Sequence, residues 1–171
     1  EPLSALEGRD FYGEYTGVTD KLGSDKEHPV SHIAYGYAAH LVELGEDGRV
    51  KRVVAAHDVG QAVNPVNIEG QIEGGVVMSL GYALTEDFPL EDGKPKATYA
   101  SLGLFRAHQT PDVEAIIIQK PRSELACGAK GIGEICSIPT PPAVQNAYYN
   151  FDGKFRTSLP LEDTPYSRKK K

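Results

Sequence analysis

Residues 50–84 read VKRVVAAHDVGQAVNPVNIEGQIEGGVVMSLGYAL and place a strand, a turn and a helix in direct succession. The first part, as far as Val59, alternates as a β-strand does, and a glycine follows it as a turn residue. Asn64 is a favourable N-cap, and Pro65 suits the first helical position. The helical pattern then continues to about Leu84. Its apolar positions recur near the helical period at Ile68, Ile72, Val76, Leu80 and Ala83.

Glycines interrupt the predicted helix at Gly70, Gly74 and Gly81. The first two are four residues apart and therefore share one helix face. Each glycine disfavours a helix by about 1 kcal/mol relative to alanine. We therefore expect either another backbone or a ligand to pack closely against this face.

The flanking residues add further elements on both sides. Residues 33–44 predict a strand, and the turn signal Asp47-Gly48 joins it to the next strand as a hairpin. Downstream, Asp92-Gly93 predicts a second turn, and residues 98–108 fit either a strand or a short helix. Residues 113–119 contain three consecutive isoleucines and predict a buried strand.

The sequence Thr140-Pro141-Pro142 predicts the start of another helix, and Asp152-Gly153 its end. Strands and helices are mixed without strict βαβ alternation, which favours the α+β class. We expect residues 1–30 to be a poorly structured lead-in from a longer chain, 31–157 to be the folded domain, and 158–171 to be a polar tail.

Composition excludes several classes of protein. The chain has 171 residues, is 40% hydrophobic and carries a net charge of -6, so nucleic acid and anionic membranes are not expected partners. It has no apolar run of about 18 residues, and no charged segment followed by an apolar one opens it, so neither a membrane span nor a secretory signal is expected in these residues. Cys127 and Cys136 do not form a disulfide framework, which favours structural roles and a reduced, cytoplasmic setting.

The stretch Cys127-Gly128-Ala129-Lys130-Gly131-Ile132-Gly133-Glu134, here called the glycine loop, is neither a P-loop nor a dinucleotide fingerprint. Its backbone amides could bind an anion, with Lys130 either adding charge or lying in solvent. Glu134 could accept or donate a proton there, or could simply end an exposed loop.

Other polar residues are weaker site candidates. Asp58 is expected to stabilise its turn by a local hydrogen bond. Gln71 could hydrogen-bond a heterocycle, although residues such as Gln71 and Glu73 are more often at the surface. His57 lies near no recognisable nucleophile, so a hydrolase triad is not predicted.

Four segments together resemble the molybdenum hydroxylases, the xanthine dehydrogenase and aldehyde oxidoreductase family, and specifically the C-terminal part of the molybdopterin-binding subunit. The likeness covers about residues 33–150, and residues 33–39 and 158–166 are most similar to bacterial xanthine dehydrogenase-like members. The four segments are Asp58-Val59-Gly60 with Asn64-Pro65, Gly70 to Gly75, Leu80-Gly81, and Gly128 to Glu134.

The resemblance implies that Glu134 is the catalytic base, which removes a proton from a water-derived hydroxyl at molybdenum. It also implies that Gln71 hydrogen-bonds near molybdopterin and that the backbone of Gly131, Ile132 and Gly133 cradles the cofactor. Many family members follow the glutamate with two prolines, whereas Ile135 and Cys136 stand here. No side chain of this chain is expected to bind the metal directly.

The resemblance further implies a C-terminal fragment of an oxidoreductase that hydroxylates a purine-like N-heterocycle with water as the oxygen source. Expected partners are the remaining molybdopterin-binding region and the Fe–S and FAD domains or subunits. The pterin's nucleotide form, for which cytosine dinucleotide is one candidate, stays open. Alternatives are an aldehyde or nicotinate-type hydroxylase, or a non-catalytic assembly module. The fragment alone is expected to be inactive.

Overall fold

The computed structural model describes residues 3–14, 16–21, 23–30, 35–121 and 125–167. The chain divides into two compact units, Glu1–Ile33 and Ala34–Lys171. The first unit includes the predicted lead-in 1–30, which contains the 3-10 helix Leu3–Leu6 and an ion pair between Lys26 and Asp20. The start of the predicted first strand, at Ile33, and the basic run 168–171 lie outside the described residues.

The second unit opens with the predicted hairpin. Strands β1 (Tyr37–Leu44) and β2 (Val50–Asp58) pair in antiparallel register with a bulge at Glu43/Leu44. Gly48 takes a φ of +74° in the turn, and the N–H of Gly45 donates to the carbonyl of Arg49 at 2.8 Å. The Asp-Gly signal therefore predicted this turn correctly.

Helix α1 (Pro65–Leu84) follows β2 and has the predicted bounds. The Asn64 side chain accepts a hydrogen bond from the N–H of Asn67 at 3.1 Å, which confirms the predicted N-cap. Ile72, Val76 and Leu80 are fully buried on one face of the helix, so the apolar period marks the side that packs on the core.

Beyond α1 the chain forms a small hairpin from β3 (Leu90–Glu91) and β4 (Lys94–Pro95), at the second Asp-Gly signal. The ambiguous stretch 98–108 contains no strand. It forms short helical turns instead. The other 3-10 helices among the described residues are Tyr99–Ser101, Ala107–Gln109 and Ile135–Ser137. Leu125–Gly128 is a turn, because Ala126 and Cys127 have left-handed backbone.

Strand β5 (Asp112–Ile118) pairs in parallel with β2, giving the sheet order β1-β2-β5. The prediction that this strand is buried was wrong. Its exposure alternates along the chain, and Ile116 and Ile118 are 41% and 37% exposed. The three consecutive isoleucines reflect β propensity, and only one face of the strand meets the core.

Helix α2 (Thr140–Asp152) begins at the predicted position, and Gly153 ends it with a φ of +73°. Val144 and Tyr148 are buried, and the Tyr148 hydroxyl donates to the carbonyl of Gly48 at 2.6 Å. The two helices and the sheet thus enclose one core, consistent with the α+β class. Within the described ranges, none of the helices combines the length and apolar character needed to cross a membrane.

The segment predicted as a polar tail packs on this core in part. Leu161 is only 2% exposed, and its N–H donates to the carbonyl of Ala83 at 2.7 Å. The hydroxyl of Tyr166 accepts a hydrogen bond from the N–H of Val50 at 3.0 Å. These contacts make residues around 161–166 part of the packed unit rather than a solvated tail.

Two histidines form a buried polar link that no local sequence pattern predicts. His57 is 1% exposed, and its Nε2 lies 2.8 Å from Nε2 of His40. Nδ1 of His40 lies 2.9 Å from Oγ1 of Thr140, at the start of α2. Burial, and then the neighbouring His57, lower the pKa of His40 to about 4. Burial also lowers the pKa of His57.

Because folding lowers the pKa values of these histidines, we expect the free energy of unfolding to depend on pH. Because the pKa of His40 falls from 6.5 to about 4 on folding, the unfolded chain takes up a proton there first. The contribution of uncharged His40 to the free energy of unfolding is complete above pH 6.5 and is lost as the pH falls towards 4. Thermal midpoints of the chain should therefore fall across this window. The fall should be smaller in a His40→Gln variant, and identical slopes would contradict this assignment.

Candidate functional site

The glycine loop lies against the carboxyl end of β2. Gly60 and Ala129 form an antiparallel bridge. The N–H of Lys130 donates to the carbonyl of Val59 at 3.0 Å, and the N–H of Gln61 donates to the carbonyl of Gly128 at 2.8 Å. The first part of the loop is therefore hydrogen-bonded, like a short strand, to the chain that leaves the sheet.

This contact requires a glycine at position 60. Gly60 has a φ of +64°, which residues with a side chain adopt only rarely. A Cβ atom there would also overlap the carbonyl oxygen of Gly128. The turn after β2 is thus shaped to admit the loop backbone at close range.

Lys130 points back to the sheet rather than into solvent. Its Nζ lies 2.6 Å from Oδ2 of Asp58, and the two side chains are only 6% and 10% exposed. Nζ also lies 5.7 Å from the ring centroid of Tyr37, within cation–π range. The expectations that Lys130 adds positive charge to an anion site, or is solvated, were therefore both wrong.

Asp58 has the predicted turn-stabilising role, with Lys130 as a further partner. Its Oδ1 accepts a hydrogen bond from the N–H of Gly60 at 3.1 Å. Burial on its own would raise the pKa of Asp58, but the hydrogen bonds from Lys130 and Gly60 outweigh it and lower the pKa. The carboxylate is therefore held in its charged form as the partner of Lys130.

Beyond Lys130 the loop backbone is open. The amides of residues 131–134 donate hydrogen bonds to none of the residues that the structure describes. A Cβ at Gly131 or Gly133 would meet nothing within 4 Å. These four successive backbone donors are without a partner in the described part of the chain, and successive amides are the donors that an anion or carbonyl site uses.

Glu134 follows these amides and is exposed. Its carbonyl oxygen accepts hydrogen bonds from the N–H and Oγ of Ser137, at 3.0 and 2.7 Å. Its carboxylate forms no ion pair or hydrogen bond within the described part of the chain. The backbone of Glu134 is thus fixed by the 3-10 helix 135–137. Its carboxylate is accessible to a group from outside the described residues.

That 3-10 helix is fastened to α1. Cys136 is fully buried, and its Sγ donates to the carbonyl of Ile132 at 2.7 Å. The Ser79 hydroxyl donates to the carbonyl of Ser137 at 2.7 Å. A Cβ added at Gly75 would lie 2.6 Å from Cβ of Cys136, so this glycine permits the close approach. Cys136 is therefore the structural cysteine that the sequence predicted.

Gln71 lies one helical turn before Gly75, on the face of α1 that meets Cys136. Gln71 and Glu73 are both exposed, as predicted for surface residues. The structure thus carries Gln71 and Glu134 on neighbouring elements joined by the contact between Gly75 and Cys136. It contains no hydrogen bond between their side chains within the described residues.

The predicted close contact at Gly70 and Gly74 is absent among the described residues, where a Cβ at either position would meet nothing within 4 Å. Both glycines instead line an open groove of about 580 Å³ together with Glu73, Val77 and residues 110–113. The expected contact with another backbone is therefore not found at these two glycines within the described residues, whereas the alternative, a closely packed ligand, stays a prediction. Close approach to another backbone occurs instead at Gly75, which meets Cys136.

Cys127 is exposed, in a tight turn at the start of the glycine loop. Ala126, Cys127 and Gly128 have successive φ values of 49°, 55° and 80°. Left-handed backbone is unusual at the two residues that carry a side chain. This turn directly precedes the residues of the loop that pair with the end of β2.

Comparison with known proteins identifies the family of this chain. Residues 4–111 match the family model of the molybdopterin cofactor-binding domain. The match begins inside the predicted lead-in and ends before the glycine loop. The chain therefore belongs to the molybdenum hydroxylase family and carries part of its molybdopterin-binding domain.

Individual relatives agree with this family. The chain is 33% identical over 136 residues to a probable xanthine dehydrogenase subunit of Bacillus subtilis (strain 168), covering 76% of this chain and 18% of that protein. It is 31% identical to the aldehyde oxidoreductase of Megalodesulfovibrio gigas, covering 71% of this chain and 14% of that protein.

Among solved structures, quinoline 2-oxidoreductase from Pseudomonas putida 86 is similar, with a TM-score of 0.60 and 28% identity. That likeness covers 66% of this chain and 15% of the other. The chain thus spans less than a fifth of the length of these relatives.

Two adjacent glycines of α1 provide a matched test of how the glycine loop is attached. Gly75→Ala should lower the free energy of unfolding by about 1–3 kcal/mol, the usual cost of overpacking, because its Cβ would collide with Cys136. Gly74→Ala should raise it by up to about 1 kcal/mol, since alanine favours the helix and meets no neighbour. Chemical denaturation of the chain measures both, and equal effects would contradict the contact at Gly75.

Proposed function

We propose that the complete protein is a xanthine dehydrogenase-like molybdenum hydroxylase that oxidises a purine-like N-heterocycle with water as the oxygen source. The observation that carries the proposal is the exposed carboxylate of Glu134, which lies beside four backbone amides; among the described residues neither the carboxylate nor these amides have a hydrogen-bond partner. Membership of the molybdenum hydroxylase family supports it.

The residues present fit the cofactor that the family uses. Open amides at Gly131, Ile132 and Gly133 can donate hydrogen bonds to the oxygens of a pterin cofactor, and no side chain of this loop segment blocks the approach at the two glycines. Gln71, exposed on the adjacent helix, can donate and accept at once. When bound, molybdopterin supplies the redox and oxygen-transfer chemistry. We propose its cytosine dinucleotide as one form.

Glu134 acts in this scheme as the general base. It would take a proton from the water-derived nucleophile as the oxygen attacks an electron-poor ring carbon. That carbon would lose its hydrogen as a hydride, whose two electrons the bound cofactor would accept. A base must be held within hydrogen-bond reach of its proton, and the 3-10 helix that follows Glu134 fixes its backbone. Open solvent around the carboxylate in this chain leaves room for the rest of the pocket.

The complete protein would need partners and a reducing setting. The remaining molybdopterin-binding region would complete the pocket, because the chain spans less than a fifth of its relatives. Fe–S and FAD domains or subunits would carry the electrons away. A reduced cytoplasmic setting agrees with the free cysteines Cys127 and Cys136.

Replacing the proposed base tests its role directly. In the complete protein, Glu134→Gln should lower kcat by about 100-fold or more, the usual contribution of a general base, with molybdenum content near wild type. Steady-state kinetics and elemental analysis measure the two effects. Glu46→Gln, in the turn at the opposite end of β1 and β2, is the control. Wild-type rates in Glu134→Gln would overturn the assignment.

A substrate panel separates the proposed activity from its alternatives. We expect xanthine to be oxidised faster than nicotinate or benzaldehyde. Faster oxidation of benzaldehyde would favour an aldehyde oxidoreductase, as one relative is named. A complete protein that purifies without molybdenum would favour an assembly module. The 171-residue chain alone should hold no stoichiometric molybdenum, because about half of the cofactor pocket would come from the rest of the complete protein.

A further inference from the structure

Glu134 stands between two attachments to the packed unit. Upstream, Lys130 ties the glycine loop to the end of β2, and downstream Cys136 packs against Gly75 of α1. Between them lie residues 131–133, whose backbone amides have no partner among the described residues, then Glu134 and Ile135. The side chains of Ile132 and Ile135 pack in part against the core. The backbone at Glu134 is therefore held by this packing and by the attachments at Lys130 and Cys136.

The upstream attachment combines backbone hydrogen bonds with a side-chain ion pair. Two backbone hydrogen bonds already join residues 59–61 to residues 128–130, at 2.8 and 3.0 Å. Asp58 and Lys130 nevertheless form a nearly buried ion pair, and taking charges out of water is costly. A buried pair of this kind adds little net stability, but its short, directional contact fixes one geometry.

The pair is anchored at the end of the central strand of the sheet. Asp58 is the last residue of β2, the central strand, which pairs with β1 on one side and β5 on the other. Its Oδ1 is held by the N–H of Gly60 while Oδ2 holds Lys130. The ring of Tyr37, which pairs with Asp58 across the hairpin, lies beside the ammonium group. The loop is thereby fastened to the sheet rather than to another loop.

We propose that Asp58 and Lys130 are positioning residues for the catalytic step, which act through the placement of Glu134, an inference that rests on the proposed function. A shift of about 1 Å in a reacting group can cost about 100-fold in rate. Loss of the ion pair should therefore reduce kcat while the rest of the substrate pocket, and so KM, is little changed.

The test uses the complete, molybdenum-loaded protein and the isosteric variant Asp58→Asn. We expect kcat to fall about 10- to 100-fold, with KM and molybdenum content within about twofold of wild type. Glu114→Gln is the matched control. It removes an exposed ion pair with Arg52 on the same sheet and should leave kcat unchanged. Wild-type kcat in Asp58→Asn would overturn the positioning role.

A double-mutant cycle distinguishes positioning from a general structural effect. If Asp58 acts through Glu134, Asp58→Asn should cause no further loss of kcat in the Glu134→Gln background. Multiplying losses would overturn the proposal. Full activity of Glu134→Gln alone would instead overturn the proposed base, and the positioning role with it.

Lys130→Arg covers the case in which Asp58→Asn loses molybdenum or does not fold. Arginine keeps the positive charge but has a different shape and reach, so the loop should shift without a buried unpaired charge. We expect kcat to fall while molybdenum is retained. Wild-type kcat in this variant would overturn the proposal.

Discussion

Close backbone approach at two glycines determines where the loop that carries Glu134 can lie. At Gly60 the turn after β2 meets the carbonyl of Gly128, and at Gly75 helix α1 meets Cys136. A Cβ atom at either position would push the loop away from its support. The glycine loop thus spans from the end of the central strand β2 to helix α1 and contacts both. Everything that the candidate site can do depends on this arrangement.

The two carboxylates near the loop have opposite circumstances. Asp58 is nearly buried, charged and paired with Lys130, so it is committed to holding the structure. Glu134 is exposed and has no side-chain partner within the described residues. The chain thus combines, within a short segment, a backbone fixed by hydrogen bonds and a carboxylate that has no partner among the described residues.

The open surface of α1 fits the limited span of the chain. Gly70 and Gly74 face a groove, and Gln71 is exposed beside them, whereas the opposite face of the helix is buried in the core. The chain covers 18% of its relative from Bacillus subtilis, so most of a molybdenum hydroxylase lies outside it. The glycines of α1 thus differ in role. Gly75 permits a contact within this chain, whereas Gly70 and Gly74 have no neighbour within 4 Å of an added Cβ.

The sequence alone determined the local elements. Asn64, Asp47-Gly48 and Gly153 mark a helix start, a turn and a helix end, because each depends on backbone conformation and hydrogen bonds within a few residues. Motifs in register also predicted the family and Glu134 as the candidate base. Only the tertiary structure revealed the parallel pairing of β5 with β2 and the burial of Leu161. It also revealed the ion pair of Asp58 with Lys130, 72 residues apart, and the link from His40 to Thr140, 100 residues apart. No local pattern encodes such pairs, since their energy comes from burial and from geometry that exists only once distant segments have packed.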